Sequence, residues 1–243
     1  MNIPRVIAHR GSPRKAPENT LASFRMAAAD GATWVEFDAA LTFDSRVVIF
    51  HDDSLERTTD GEGLLSQTPF DALGALDAGG WFAPQFRGEP IPTLEEALET
   101  LAGLGLGFNM ELKVDPGREV DLAALALPIV AACWPKSVPV PLVSSFSRQA
   151  IAAAKEAQPD WPRGLIFDDR PEDWLEVAQA LELATLNANH QHLTKESVAA
   201  MRGAGFAVLA YTVNDADRAD ELFSWGVQSV FTDIPDILLK SLA

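Results

Sequence analysis

The stretch Thr33-Trp-Val-Glu-Phe-Asp-Ala-Ala-Leu41 is an apolar run that contains two acids. Side chains alternate between faces along a β-strand, so Glu36 and Asp38 share one face, and Val35 and Phe37 share the other. In a parallel sheet that is covered on both sides, inward carboxylates are costly unless a cation pairs with them. The stretch therefore predicts a buried strand with a functional acidic face.

Short apolar runs followed by amphipathic stretches recur along the chain, which is typical of βα units and a parallel sheet. We predict strands near 5–9, 33–41, 107–113, 141–145, 163–167, 184–188, 207–213 and 229–232. We predict helices near 21–30, 94–103, 119–134, 148–157, 172–180, 195–203, 215–225 and 235–239. Several helices follow a plausible capping residue, such as Thr93 or Asn214. Eight strands alternating with eight helices predict a closed (β/α)8 TIM barrel, in one domain over residues 1–243.

Residues 52–92 break this alternation after the second strand. The segment is rich in Gly, Asp, Thr and aromatic residues, and it is too long for an ordinary βα loop. We expect a small insertion that packs over the catalytic end of the barrel. Its aromatic residues Trp81, Phe82 and Phe86 are expected either to cover a substrate or to close the insertion's own core.

The net charge of −16, from 35 acidic and 19 basic residues, makes nucleic acid a poor candidate partner. The single cysteine, Cys133, excludes an internal disulfide, and its apolar surroundings predict that it is buried. The first residues lack the pattern of a signal peptide, and the sequence has no apolar stretch of about 18 residues. We therefore expect a cytoplasmic monomer or homodimer without stable membrane association.

The stretch Phe108-Asn-Met-Glu-Leu-Lys113 repeats the polar face of the second strand. Asn109, Glu111 and Lys113 alternate with apolar residues, so that Glu111 is expected at the strand end beside Glu36 and Asp38. Three carboxylates at one end of a barrel suit one hard divalent cation, Mg²⁺ or Ca²⁺, with Mn²⁺ as a further candidate. The alternative is a structural ion-pair network around Lys113.

Two histidines favour the catalytic interpretation. His9 ends the first predicted strand, and His51 ends the β-like run Val47-Val-Ile-Phe-His, so both are expected at the catalytic face of the barrel. Histidine both accepts and donates a proton near neutral pH. With a divalent ion, Arg10 and Lys113 offset the three carboxylates and leave a net charge of about +1, which attracts a phosphodiester.

The residues that surround these positions form a series of short motifs. In order, they include His9-Arg-Gly, Pro17-Glu-Asn-Thr, Val35-Glu-Phe-Asp, Val48-Ile-Phe-His-Asp-Asp, Leu55-Glu-Arg-Thr-Thr-Asp-Gly, Ile91-Pro-Thr-Leu-Glu-Glu, Glu111-Leu-Lys, Tyr211-Thr-Val-Asn and Thr232-Asp-Ile-Pro. Each motif is weak alone, but their order and spacing together are specific. Over nearly its whole length the chain resembles the glycerophosphodiester phosphodiesterase family.

The resemblance implies metal-dependent hydrolysis of small glycerophosphodiesters, such as glycerophosphocholine or glycerophosphoethanolamine, to sn-glycerol 3-phosphate and an alcohol. It implies a catalytic acid–base pair at His9 and His51, for which we prefer His9 as the base. The implied metal ligands are Glu36, Asp38 and Glu111, with Arg10 and Lys113 as phosphate-binding or metal-site support.

Two aromatic residues are further candidates for substrate contact. Phe146 follows the fourth predicted strand, where it is expected either to line the pocket or simply to pack. Tyr211 stands where the family often has Trp, which could alter the pocket wall. Asn187 is also expected to reach the barrel mouth, whereas the nearby His190 and His192 are interpreted as loop residues rather than as a second metal pair.

Two other functions stay open at this point. A lysophospholipase D-like phosphodiesterase would use the same residues on lipid substrates and would need an apolar trough. A non-catalytic barrel that binds phosphodiesters would be expected to lack a histidine or a metal carboxylate, and all five of these residues are present.

Overall fold

Eight parallel strands close into a ring in the computed structural model, which describes residues 3–242. The ring strands are β1 (Val6–Ala8), β2 (Trp34–Leu41), β4 (Gly107–Leu112), β5 (Leu142–Ser145), β6 (Arg163–Phe167), β7 (Thr185–Asn189), β8 (Ala207–Tyr211) and β9 (Ser229–Thr232). They are paired in this order, and β9 pairs with β1 to close the barrel. The predicted TIM barrel is therefore confirmed, and each of the eight predicted strands overlaps a ring strand.

One further strand, β3 (Val47–Ile49), pairs antiparallel with β2 outside the ring. Residues 52–92 continue from it with short helical turns and the one-turn helix α2 (Phe70–Leu73). Apolar residues of this segment pack with residues of β2 and β3 in one cluster, which includes Phe50 and Leu55. Because β3 begins the departure from the barrel, the excursion after β2 starts before residue 52.

The other helices alternate with the ring strands and cover the barrel. They are α1 (Leu21–Ala29), α3 (Leu94–Leu104), α4 (Glu119–Cys133), α5 (Arg148–Ala157), α6 (Trp174–Ala180), α7 (Lys195–Gly203), α8 (Ala216–Trp225) and α9 (Pro235–Ser241). Thr93 caps α3 in a capping box with Glu96, as its position predicted. The cap of α8 is Asp215 rather than Asn214, because the Asn214 side chain bonds to Asp233 instead.

Aromatic rings between the strands and the helices fix the orientation of β2. Phe37 packs against Phe24 and Phe108 at centroid distances of 5.9 and 5.2 Å, and Phe108 packs edge to face with Trp134 at 4.7 Å. Burying a ring of this size stabilises the fold by about 2–3 kcal/mol. Since neighbouring side chains on a strand face opposite ways, this packing turns Glu36 into the barrel.

The structure bears on two expectations about apolar residues. Cys133 is exposed, so its predicted burial is wrong. It is the last residue of α4, beyond the helix's buried stripe, which ends at Val130 before Trp134 packs on the core. Trp81, Phe82 and Phe86 pack edge to face on one another at centroid distances of 5.7 and 5.6 Å, but Trp81 is 42% exposed and none of the three belongs to the apolar cluster that contains Phe50 and Leu55. The rings therefore form a group of their own at the surface of the insertion. Within residues 3–242, no helix is long and apolar enough to cross a membrane.

Candidate active site

Three carboxylates, two of them buried and the third partly buried, meet inside the barrel. Glu36 and Asp38 lie on β2, and Glu111 on β4 lies directly across from Asp38 in the sheet register. Each residue offers one oxygen, and these three oxygens lie within 4.8 Å of one another. The parallel register brings the acids together, because both strands turn the same alternating face inward.

Burial and mutual repulsion perturb the ionisation of these acids. The pKa of Glu36 is raised well above its usual value by burial and by the charges of Asp38 and Glu111. Burial and the charge of Asp38 raise the pKa of Glu111 to about 7, although Lys113 opposes this shift. Glu36 Oε1 is also buried without a hydrogen-bond partner in the described residues. Clustered oxygen donors of this kind, with one left unsatisfied, fit a hard divalent cation.

Arg10 and Lys113 supply positive charge at the edge of the acid cluster. The Lys113 Nζ atom lies 3.3 Å from Glu111 Oε1, and the Arg10 Nε atom lies 3.3 Å from Asp38 Oδ2. The Arg10 backbone N–H donates to Glu36 Oε2 at 3.0 Å. The two basic residues therefore compensate part of the buried negative charge.

A tight turn after β1 holds Arg10 in this position. Arg10 has a φ of 53° and Gly11 a φ of 89°, so both residues adopt the left-handed conformation. A Cβ on Gly11 would collide with Ser23 of α1, whose hydroxyl accepts a hydrogen bond from the Ser12 N–H. Glycine at position 11 thus lets the turn lie directly against the helix.

His9 is held by residues from the other end of the chain. Its Nδ1 atom lies 2.7 Å from Asp233 Oδ1, and its Nε2 atom lies 3.9 Å from Glu36 Oε2. Asn214 Nδ2 donates to Asp233 Oδ2 at 2.6 Å. Burial alone would raise the pKa of Asp233, but the hydrogen bonds from His9 and Asn214 outweigh it and lower this pKa. An ionised carboxylate behind Nδ1 directs Nε2 of His9 towards the acid cluster.

His51 is also paired at Nδ1 with a carboxylate. Its Nδ1 atom lies 2.6 Å from Asp52 Oδ1, and its Nε2 atom lies 3.4 Å from Lys113 Nζ. Burial lowers the pKa of His51, and the charges of Arg10 and Lys113 act in the same direction. The charge of Asp38 opposes these shifts, but the pKa is lowered overall, which favours the neutral form of the ring.

Arg57 connects His51 to the turn that contains Glu18. The Arg57 guanidinium donates to both oxygens of Asp52 and to both oxygens of Glu18, at 2.5–2.8 Å. Glu18 also accepts from Arg10 at 2.7 Å. The insertion is thereby joined by charged hydrogen bonds to the residues around the acid cluster.

The histidines and the acid cluster open into one cavity of about 220 Å³. Phe146 and Tyr211 line its wall, with ring centroids 6.0 Å apart in an edge-to-face arrangement. The Tyr211 hydroxyl donates to Asp168 Oδ1 at 3.1 Å. Burial, together with the charge of Asp168, raises the pKa of Tyr211 above its usual value. All of the residues that the sequence marked as candidates therefore lie in or directly beside this cavity.

Some residues at the site were missed by the sequence analysis. Asn19 Nδ2 donates to Asp38 Oδ2 at 2.7 Å, while Asp52 and Asp233 each hold a histidine. All three belong to motifs that were noted without a role: Pro17-Glu-Asn-Thr, the Asp that follows His51, and Thr232-Asp-Ile-Pro. A carboxylate next to a candidate catalytic histidine is a usable signal, whereas the pairing of residues 9 and 233 needs the closed barrel.

The remaining histidines have other partners. His192 Nδ1 lies 2.7 Å from Asp169 Oδ1, and His190 lies beside Arg218. In the described part of the chain, the one group of three or more potential metal ligands is the acid cluster of the barrel. The interpretation of these two histidines as loop residues agrees with this arrangement.

The chain is similar in sequence to proteins of one known family. The model of the glycerophosphoryl diester phosphodiesterase family matches residues 9–237. A glycerophosphodiester phosphodiesterase of Caldanaerobacter subterraneus is 31% identical over 240 residues, covering 97% of this chain and 96% of the relative.

Solved structures give the same result. One is a phosphodiesterase of Oleispira antarctica, solved in complex with the product sn-glycerol-3-phosphate. It superposes with a TM-score of 0.96 and is 41% identical in sequence, and the match covers 99% of this chain and 97% of that chain. A glycerophosphodiester phosphodiesterase of Agrobacterium tumefaciens has a TM-score of 0.80 and 26% identity, with coverage of 99% and 100%. The resemblance noted in the sequence is confirmed.

Proposed function

Because the chain belongs to the glycerophosphoryl diester phosphodiesterase family, we propose that it hydrolyses small glycerophosphodiesters to sn-glycerol 3-phosphate and an alcohol. The chain is an enzyme of the phosphodiesterase class, and the proposal concerns how it works and on what. Glycerophosphocholine and glycerophosphoethanolamine are the proposed substrates. The proposed cofactor is one divalent cation, Mg²⁺ or Ca²⁺, and the proposed unit is a single domain with an insertion at about residues 52–92.

One observation carries this mechanism. Two imidazoles line the same cavity as Glu36 and Glu111, and each is backed at Nδ1 by a carboxylate at 2.6–2.7 Å. This arrangement orients both Nε2 atoms and stabilises an imidazolium if a ring takes up a proton. It supports a pair of groups that transfer protons on the two sides of one phosphorus atom.

The proposed steps assign one proton transfer to each histidine. One imidazole removes a proton from the attacking oxygen, and the other donates a proton to the leaving alcohol. If the attacker is a water, this step gives sn-glycerol 3-phosphate directly. If it is the neighbouring glycerol hydroxyl, the step gives a cyclic phosphate, which a water then opens with the two histidines in exchanged roles. The lowered pKa of His51 favours a neutral ring, which suits a base better than an acid and so argues against His51 as the acid in the free enzyme. The assignment of His9 as the base and His51 as the acid stays a prediction.

Charge compensation is the second part of the mechanism. Arg10 and Lys113 lie beside the acid cluster and are positioned to contact phosphoryl oxygens. Glu36, Asp38 and Glu111 would hold the cation, which when bound neutralises negative charge that develops on the phosphate. Phe146 and Tyr211 are proposed to bound the substrate on the open side of the cavity.

The experiment measures turnover of glycerophosphocholine after chelation and after re-addition of Mg²⁺, Ca²⁺ or Mn²⁺. Activity should be lost with the chelator and recovered with at least one ion. His9→Ala and His51→Ala should each lower kcat by about 10²–10⁴-fold. His192→Ala is the matched control, because this histidine pairs with the exposed Asp169, and it should retain the wild-type rate. Turnover that survives chelation, or His9 and His51 variants within tenfold of wild type, would refute the mechanism.

A further inference from the structure

Two buried amide side chains lie beneath the acid cluster. Asn109 on β4 and Asn187 on β7 are each 1% exposed, and both line the cavity. Asn109 lies two residues before Glu111 on the same inward face. Asn187 likewise lies two residues before Asn189, which pairs with Tyr211 at the mouth. Both amides are therefore one layer deeper in the barrel than these mouth residues.

Each amide uses one end for a hydrogen bond to a hydroxyl and leaves its other end free. Asn109 Nδ2 donates to Ser144 Oγ at 2.9 Å, and Thr185 Oγ1 donates to Asn187 Oδ1 at 2.8 Å. Asn109 Oδ1 and Asn187 Nδ2 are buried without a partner among residues 3–242. A buried polar atom without a hydrogen bond is costly. Two such atoms that line one cavity indicate a ligand with polar groups.

The barrel keeps space open beside these amides. Gly164 on β6 is paired with Ser144 on one side and with Thr185 on the other. A Cβ at position 164 would collide with the Thr185 hydroxyl and would lie 3.2 Å from Asn187 Nδ2. Glycine therefore lets the two hydrogen-bonded pairs of residues approach each other across β6. The cavity of about 220 Å³ is far larger than the roughly 15 Å³ that one water needs.

The free amide ends define the chemistry of the ligand. They are neutral and offer one acceptor and one donor, so a group that both donates and accepts satisfies either end. The apolar side chains Ile166 and Phe231 line the same cavity and suit a carbon skeleton. A vicinal diol combines two such hydroxyls with a short carbon chain.

We propose that Asn109 and Asn187 bind the two hydroxyls of the substrate's glycerol group. The inference rests on the proposed function and adds the orientation of the substrate: the glycerol end enters the barrel, and the leaving alcohol points to the mouth. The amides thus select the glycerol half of the molecule. A site built to hydrogen-bond a hydroxyl strongly rejects an analogue without it, because its own polar groups then stay unpaired.

The test compares the binding of two phosphate monoesters of equal charge. sn-Glycerol 3-phosphate carries the diol, and propyl phosphate lacks both hydroxyls. Calorimetric titration with excess Mg²⁺ should show that the wild type prefers sn-glycerol 3-phosphate by tenfold or more. In Asn187→Leu, which removes one of the two amides, the preference should fall at least threefold. Gln179→Leu, on the exposed face of α6, should keep it.

Other outcomes are equally informative. Equal binding of both esters by the wild type, or a preference that survives in Asn187→Leu, overturns the inference. Asn187→Ser is the second variant if the leucine variant does not fold, and its preference should fall at least threefold. Because binding needs no turnover, a protein that selects the diol without hydrolysing glycerophosphodiesters would refute the proposed function alone. A protein that hydrolyses them without selecting the diol would refute this inference alone.

Discussion

His9 Nδ1 and Asp233 Oδ1 lie 2.7 Å apart although 224 positions separate the two residues in the chain. β1 and β9 are neighbours in the closed ring, so the residues that follow them meet at the mouth of the barrel. His51, by contrast, takes its carboxylate from the next residue, Asp52. The two histidines therefore reach the same arrangement by a long-range and by a local contact.

Asp233→Asn should lower kcat for glycerophosphocholine by about 10²-fold or more. The amide that replaces the carboxylate can donate to Nδ1, which favours the wrong tautomer of His9 and removes the charge that stabilises an imidazolium. Asp236→Asn is the matched control, because Asp236 pairs with Lys15 at the start of α9. It should stay within threefold of wild type. An Asp233→Asn enzyme within twofold of wild type would show that this contact has no role in catalysis.

Glu36→Gln should raise the melting temperature in the presence of a chelator and abolish the stabilisation that a divalent ion gives. Without an ion, Glu36 is a buried acid that is repelled by its neighbours. Replacing it with a neutral glutamine therefore stabilises the folded state. At a concentration 100 times its Kd, an ion stabilises by about 2.7 kcal/mol, or roughly 5–10 °C for a chain of this size.

Scanning calorimetry with chelator, and then with Mg²⁺ or Ca²⁺, measures both effects. Glu95→Gln, on the exposed side of α3, is the control, and it should leave the ion-dependent shift unchanged. An ion-dependent shift of wild-type size in Glu36→Gln would exclude Glu36 as a ligand.

In the presence of a chelator, the free energy of unfolding of the wild type should decrease relative to that of Glu111→Gln as pH rises from about 5 to 7.5. The pKa of Glu111 in the folded protein is about 7, above its usual 4.5, so the folded state binds more protons than the unfolded state in this range. The stability contribution of the protonated form is complete below the unfolded pKa and is lost as pH rises through the folded pKa. The raised pKa of Glu36 adds to this effect, whereas the lowered pKa values of His51 and His190 act in the opposite direction in the same window. The comparison with Glu111→Gln therefore isolates the contribution of Glu111.

Urea unfolding at several pH values, with and without a divalent ion, tests the direction of this pH dependence of stability. A bound ion keeps the carboxylates ionised, so the decrease should disappear when the ion is saturating. A wild-type stability that rises relative to that of Glu111→Gln across this window in chelator would contradict the prediction.

Arg57→Ala should destabilise the protein by about 1–3 kcal/mol and lower kcat/KM, because it frees both Asp52 and Glu18. Arg57→Lys should recover little of the loss, since an ammonium cannot make the same set of forked hydrogen bonds. Arg46→Ala removes an arginine of similar exposure, 49% against 46%, whose nearest carboxylate oxygen is 3.7 Å away on Glu95. This control variant should lose less than about 0.5 kcal/mol of its free energy of unfolding. Denaturant unfolding and steady-state kinetics compare the three variants, and equal losses at positions 46 and 57 would contradict the prediction.

Much of the fold could be predicted because its signals are local. Each βα unit has its own change from a strand pattern to a helical pattern, and Thr93 with Glu96 marks the start of α3 within four residues. The same holds for Glu36 and Asp38, because the two-residue repeat of a strand determines that they share a face. The antiparallel β3 was recognised as a β-like run, but its place outside the ring depends on its pairing with β2.

Errors arose where the local pattern was weak. Cys133 follows an apolar run, but it lies at the last position of α4, where small differences in helix rotation decide exposure. Asn214 and Asp215 are both good capping residues, and the competing bond from Asn214 to Asp233 decides between them. Contacts with distant residues decided both cases.

The amino-acid sequence by itself determined the alternation of strands and helices, the inward acids and the residues with catalytic chemistry, because these depend on periodicity over a few positions. Tertiary structure alone decided that Asp233 supports His9, that Arg57 joins Glu18 to Asp52, and that Asn109 and Asn187 leave polar atoms free in one cavity. Those relationships depend on ring closure and on register between strands, which bring together side chains that no local pattern connects.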